Sequence, residues 1–106
     1  MNKSTALQYV QVAPCIPLKF GGHESYTYHI DQKEEVPEGT VVRISFGRRN
    51  VTGVVLKNGI RKPRYPTKAI SKITTAILSK HQMQFGQWIA EHAHGGIGYT
   101  LRLFVL

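Results

Sequence analysis

Acidic residues are scarce in this sequence, and their distribution is uneven. The chain of 106 residues has six Asp and Glu against 14 Lys and Arg, so its formal net charge is +8. Five of the six acids fall between positions 24 and 38, and the sixth is Glu91. Between Gly39 and Ala90 there is no acid, whereas ten bases occur there. This separation excludes a balanced solubilising surface and favours a polyanion, above all nucleic acid, as the partner.

Cysteine and long apolar runs are also nearly absent. The single Cys15 excludes an internal disulfide and predicts a small buried apolar residue, because it lies beside prolines without a catalytic companion. No stretch approaches the roughly 18 consecutive apolar residues of a membrane-spanning helix. The first residues carry no apolar segment typical of a secretory leader. We therefore expect a cytoplasmic protein without a membrane partner.

Catalytic and metal-binding patterns are missing as well. No Gly-x4-Gly-Lys-Ser/Thr loop occurs, so the chain is not expected to hydrolyse ATP. His92 and His94 are two residues apart and point to different sides of a helix, which argues against a metal site. We expect a domain that is not an enzyme and holds no metal or other cofactor.

The apolar pattern predicts short strands first and a helix late. Alternation predicts strands at residues 8–12, 25–30, 40–46 and 51–57, and β-branched residues predict another at 69–77. Residues 47–50 are typical of a hairpin loop, and residues 58–68 predict an exposed basic loop with two prolines. Gly53, inside its strand, predicts a bulge.

A capping-box pattern marks the start of the helix, with Ser79 followed three residues later by Gln82. An apolar stripe continues to Gly95-Gly96, and Trp88 on that stripe is expected in the core. Alternation at residues 99–106 predicts a final strand. The predicted fold class is α+β, mainly β: a small OB-like antiparallel barrel of about five or six strands with one helix near the C-terminus.

Residues 1–106 are thus interpreted as a single nucleic-acid-binding domain. The chain closes on Leu-Phe-Val-Leu, and because an apolar end is a poor terminus, we expect this domain to be the first module of a longer chain.

An ordered set of motifs carries a family resemblance. The motifs are Val12-Ala-Pro-Cys-Ile-Pro17-Leu, Tyr26-Thr-Tyr28, Pro37-Glu-Gly39, Val42-Arg-Ile-Ser-Phe46-Gly47-Arg48-Arg49, Gly53-Val-Val55, Lys68-Ala-Ile70, Trp88-Ile-Ala-Glu91 and Ile97-Gly98. The most specific is the strand that ends in Phe-Gly-Arg-Arg, with Gly-Val-Val shortly after. In motif order and spacing, nearly the whole chain resembles the N-terminal domain of the bacterial replication-restart helicase PriA.

The resemblance implies that residues 1–106 form a single DNA-binding domain, which captures the 3′ end of the nascent leading strand at stalled forks for primosome-dependent replication restart. It implies forked or 3′-ended DNA, the remainder of a helicase chain and other primosome proteins as partners. The 3′-end pocket of that family carries over to Tyr26, Thr27, Tyr28, Phe46, Gly47 and Lys68. Thr27 stands where the family usually has Asp, so we expect weaker capture or an altered base preference.

Residue chemistry alone leaves alternatives open. Tyr26 and Tyr28 share a strand face with Ile30, so they suit a core as well as a platform for bases. Gly47 suits a tight turn as well as close approach to a nucleotide. The bases expected to contact the DNA backbone are Arg48, Arg49, Arg61, Lys62 and Arg64. The alternative function is a general single-stranded nucleic-acid-binding barrel without end specificity, and a third is protein docking through an exposed strand edge.

Overall fold

The computed structural model describes residues 6–16, 25–91 and 96–105. Its elements are β1 (Leu7–Pro14), β2 (Tyr26–Asp31), β3 (Thr40–Phe46), β4 (Arg49–Ile60), β5 (Lys68–Ala69), β6 (Lys72–Ile77), α1 (Lys80–Ala90) and α2 (Gly96–Val105). The predicted fold class is confirmed, because the chain is mainly β and its strands form a curled half-barrel.

The six strands form one sheet in the order β5-β2-β1-β4-β3-β6. All neighbours are antiparallel except β2 and β5, which are parallel. The link between β5 and β6 bridges the sheet: the Ile70 N–H donates to the His29 carbonyl on β2 at 3.0 Å, and the Ser71 N–H donates to the Arg43 carbonyl on β3 at 2.9 Å. Because consecutive residues bond to strands far apart in the order, the sheet must curl.

Both faces of the curled sheet are covered. Val12, Val42 and Val55 belong to the core inside the curl, whereas the residues next to them, such as Ala13 and Val54, belong to a core beneath the helices. This arrangement follows from the pleat, since successive side chains of a strand point to opposite faces.

Helix α2 replaces the predicted last strand. Ile97, Leu101 and Phe104 recur at helical spacing and pack on the outer face of the sheet, where Leu101 is fully buried. The strand prediction for residues 99–106 is wrong over the described residues 99–105. A short apolar run fits the period of a strand and that of a helix, and here the helix covers Ala13 and Val54.

Helix α1 begins as the capping box predicts. The Gln82 N–H donates to the Ser79 hydroxyl at 3.1 Å, and the Ser79 N–H donates to the Gln82 side-chain oxygen at 2.8 Å. At Gly86 the helix lies so close to Leu101 of α2 that a Cβ there would overlap the leucine. Because α1 packs through this side, Trp88 is 60% exposed, and its predicted place in the core is wrong.

The helix ends at Ala90, ahead of the predicted stop at Gly95-Gly96, of which Gly95 lies outside the described residues. Within the described ranges, neither helix has the length and apolar character needed to cross a membrane.

The predicted bulge at Gly53 is also wrong. Gly53 pairs in regular register with Val42 on β3 and Pro14 on β1, and the register shifts lie further along, between Tyr9 and Val12 of β1. Glycine is needed there for space, because a Cβ would lie 2.6 Å from the Val12 side chain.

Strand boundaries near the basic loop differ from the predicted ones. Strand β4 continues to Ile60 and β5 begins at Lys68, so the loop covers residues 61–67 rather than 58–68. The strand predicted at 69–77 is divided into β5 and β6, because Ile70 and Ser71 make the bridge across the sheet.

Candidate nucleic-acid interface

A pocket of about 800 Å³, here called the end pocket, opens beside the first residues of β2. It is lined by Gln11, Ser25, Tyr26, Thr27, Tyr28, Ser45, Gly47, Tyr65, Pro66, Thr67 and Lys68. Five of the six residues predicted for 3′-end capture are in this set. The sixth, Phe46, packs edge-on against Tyr26 with ring centroids 5.1 Å apart. The fold therefore brings all six residues to one place from β2, the β3–β4 turn and the start of β5.

Tyr28 ties β2 to the end of β3. Its hydroxyl donates to the Ser45 carbonyl at 2.8 Å, and its ring is 4% exposed within the inner core. Burial raises the pKa of Tyr28 above its ordinary value, and the neighbouring Tyr26 adds to the rise. The phenol thus stays a proton donor, and the residue fixes the distance between two walls of the end pocket.

Gly47 takes the first position of the two-residue turn between Phe46 and Arg49. Its φ is 64°, the left-handed region that hairpin turns of this length require and that glycine adopts without strain. A Cβ at this position would meet no protein atom within 4 Å. The turn therefore explains the glycine, and the space beside it is open to a ligand.

The basic loop supplies the opposite wall through Tyr65, Pro66 and Thr67. The Thr67 hydroxyl bonds with His29 Nδ1 on β2, and the Tyr65 hydroxyl lies 3.3 Å from the Thr27 hydroxyl. The Tyr65 ring is 60% exposed, so it offers an aromatic surface at the pocket. Sequence reasoning did not assign Tyr65 to the site, although it is the one aromatic residue in the basic loop.

A row of polar side chains lines the remaining wall. The Ser25 hydroxyl donates to Gln11 Oε1 at 2.8 Å, and Gln11 Nε2 donates to the Thr27 hydroxyl at 3.2 Å. Gln11 and Thr27 are direct cross-strand partners in β1 and β2, which places them side by side. The sequence signal for Gln11 is its position between the core residues Val10 and Val12, because it must then face the other way.

Basic residues lie next to the end pocket in sequence but do not line it. All are exposed, two directly after Gly47 and three in the segment that leads to Tyr65: Arg48, Arg49, Arg61, Lys62 and Arg64. No acid of the described residues lines the pocket. Arg43 differs from these bases, because its guanidinium donates to the Thr52 hydroxyl and the Asn50 carbonyl and so braces the β3–β4 hairpin.

The described residues include no group of three or more His, Cys, Asp or Glu side chains that could hold a metal ion. His92 and His94 lie outside the described residues. Burial raises the pKa of the Cys15 thiol to about 11, against an opposing influence of Arg102. Since the thiolate is the nucleophile, the reactive form of Cys15 is scarce at neutral pH.

A curled half-barrel with exposed bases and an aromatic, polar pocket defines a small nucleic-acid-binding domain. Comparison with protein families specifies this class: the 3′ DNA-binding domain (3′BD) of PriA matches residues 11–105. The chain belongs to this family of DNA-binding modules, and the resemblance found in its motifs is confirmed. No curated protein matches the chain.

Proposed function

We propose that this domain captures the 3′ end of a DNA strand in the end pocket. The observation that supports it most is the convergence of the six predicted residues from three separate segments around one concavity. Recognition of an end needs a pocket rather than a through-going groove, because a groove would let the strand continue. The end pocket is bounded by β2, the Gly47 turn and residues 65–68.

The lining residues suit distinct parts of a terminal nucleotide. The exposed ring of Tyr65 stacks on a base, and stacking of this kind contributes about 1–3 kcal/mol. Tyr26, which packs against Phe46, is a second aromatic side chain in the pocket lining. The Lys68 ammonium meets a phosphate, and the open space at Gly47 admits the sugar-phosphate backbone. The exposed bases outside the pocket hold the phosphates that follow.

The family suggests the biological setting of this activity. The captured end is the 3′ end of the nascent leading strand at a stalled fork, and capture serves primosome-dependent replication restart. The domain acts in the cytoplasm as the non-catalytic N-terminal module of an ATP-dependent helicase. Its partners are forked or 3′-ended DNA, the remainder of the helicase chain and other primosome proteins, and it holds no cofactor of its own.

Competition binding tests capture of an end. A fluorescent linear single strand is displaced by unlabelled strands of one sequence that are linear, circular, or closed at the 3′ side by an inverted 3′–3′ linkage. We expect the linear strand with a free 3′ end to compete at least about tenfold better, or about 1.4 kcal/mol. Equal competition by all three strands would reject end capture and support the general single-strand-binding barrel.

A matched pair of lysine variants separates the pocket from total charge. Lys68→Gln removes an exposed base that lines the end pocket, whereas Lys33→Gln removes an exposed base from the β2–β3 connection. We expect Lys68→Gln to reduce the preference for the linear strand and Lys33→Gln to leave it unchanged. Equal effects of the two variants would mean that the pocket has no special part in binding.

A further inference from the structure

The side chains of Gln11, Thr27 and Tyr65 present three polar atoms in a row at the wall of the end pocket. Gln11 Nε2 lies 3.2 Å from the Thr27 hydroxyl, which lies 3.3 Å from the Tyr65 hydroxyl. None of the three side chains is an acid. The row therefore forms a neutral surface on which neighbouring polar atoms are one hydrogen bond apart.

The direction of the hydrogen bonds leaves this surface able to donate hydrogen bonds to a ligand. Ser25 donates to the Gln11 carbonyl oxygen, which turns the amide nitrogen toward Thr27. The Thr27 hydroxyl accepts from that nitrogen, so its own proton points onward, to Tyr65 or to a ligand. Gln11 keeps a second N–H, and the hydroxyl proton of Tyr65 can turn to a ligand.

The charges around the row favour an anionic ligand that accepts hydrogen bonds. Lys68 lines the same pocket, and no acid of the described residues does. Gln11, Thr27, Tyr65 and Lys68 thus offer hydroxyl, amide and ammonium donors to one concavity. A phosphate monoester has three strong acceptor oxygens and nearly two negative charges at pH 7.

We infer that the end pocket accepts a strand that terminates in a 3′-phosphate, and binds it more tightly than a strand with a free 3′-hydroxyl. This specificity rests on the proposed capture of 3′ ends. A 3′-hydroxyl has a single oxygen for the row of donors, whereas a phosphate has one for each of them. Charge-assisted hydrogen bonds are also about twice as strong as neutral ones.

Thr27 sets this preference. A carboxylate at position 27 would accept hydrogen bonds from Gln11 and Tyr65 and could donate none. Its negative charge would also repel a phosphate. Thr27→Asp should therefore reverse the preference in favour of the 3′-hydroxyl. Thr27→Val removes the hydroxyl with little change of shape and should bring the two affinities closer together.

The experiment measures fluorescence anisotropy with internally labelled strands of one sequence. One strand has a 3′-phosphate, the second has a 5′-phosphate and a free 3′-hydroxyl, and the third is a circle. The first two carry the same charge, so a difference between them reports the position of the phosphate. Each is titrated with the wild-type domain, Thr27→Val, Thr27→Asp and Tyr65→Phe, and circular dichroism verifies that each variant is folded.

We expect the wild-type domain to bind the 3′-phosphate strand about tenfold more tightly than its 5′-phosphate isomer, and Thr27→Asp to invert that order. Tyr65→Phe should reduce the ratio while keeping a ring for stacking. If both linear strands bind alike and better than the circle, the inferred specificity is wrong and end capture stands. If all three bind alike, both proposals are wrong.

Discussion

The two parts of the Tyr28 side chain have separate structural roles. The ring fills the inner core, and the hydroxyl bonds the Ser45 carbonyl at the end of β3. Tyr28→Phe keeps the ring and leaves that carbonyl without its donor. We expect the free energy of unfolding to fall by about 1–2 kcal/mol, the usual cost of such a loss.

Urea unfolding followed by circular dichroism measures the change. Tyr9→Phe is the matched control, since Tyr9 meets His29 edge-on and its ring is likewise retained. The control should change stability by less than about 0.5 kcal/mol. Equal losses in the two variants would show that the bond to Ser45 does not brace the end pocket.

Cys15 makes the stability of the domain depend on pH in the alkaline range. Its pKa is raised from 9.0 to about 11 by burial, so the folded state keeps its proton longer than the unfolded chain. The contribution to stability is complete below pH 9 and is lost as pH rises from 9 to about 11. The raised pKa of Tyr28 acts in the same direction at higher pH.

Denaturant unfolding at several pH values between 8 and 11 tests this dependence. We expect wild-type stability to decline across that interval and Cys15→Ala to decline less, because the variant has no thiol to titrate. Parallel curves for the two proteins would mean that Cys15 is equally easy to ionise in the folded and unfolded states.

Sequence reasoning located half of the end pocket. The family resemblance implied Tyr26, Thr27 and Lys68, among others, and the structure brings them together. It did not give Gln11 or Tyr65, because their places depend on the register of β1 with β2 and on where the basic loop folds back. Strand register and loop position belong to the tertiary structure, and no local sequence pattern predicts them.

At the scale of elements, the capping box is the feature on which the start of α1 depends. Ser79→Ala removes the acceptor for the Gln82 N–H and should lower the free energy of unfolding by about 1 kcal/mol. Ser79→Asp keeps an acceptor and suits the positive end of the helix, so it should be nearly neutral. Thermal unfolding of the three proteins compares them, and an alanine variant as stable as the aspartate variant would contradict this account.

The two helices show where element prediction succeeds and fails. The start of α1 was predictable because Ser79 and Gln82 form a local signal. The exposure of Trp88 and the helical conformation of residues 99–105 were not predictable, because both depend on which surface of the sheet the helices cover. Once Leu101 and Ile97 of α2 occupy the outer face of the sheet, α1 packs on α2 through Gly86, and the Trp88 side faces outward.

At the scale of the whole molecule, the fold keeps a cluster of acidic residues away from the end pocket. The end pocket lies where β2 begins and β3 ends. The described acids Asp31, Glu34, Glu35 and Glu38 lie where β2 ends and before β3 begins, at the opposite end of these strands. These acids are therefore kept away from the end pocket, where they would repel a polyanion, whereas the bases Lys57 and Lys80 line a second concavity together with Glu38.

The exposed bases near the end pocket lead to a prediction about salt. If about five exposed bases contact phosphates of a single strand, the slope of log K against log salt should be near −3.5. Arg48→Gln with Arg49→Gln removes two bases beside the Gly47 turn and should reduce the slope by about 1.4. Glu34→Gln with Glu35→Gln raises the net charge by two instead of lowering it by two, away from the end pocket, and should leave the slope unchanged. Anisotropy titrations between 50 and 300 mM NaCl give the slopes. A weak dependence on salt in the wild-type domain would instead favour protein docking, because only released counterions make the slope steep.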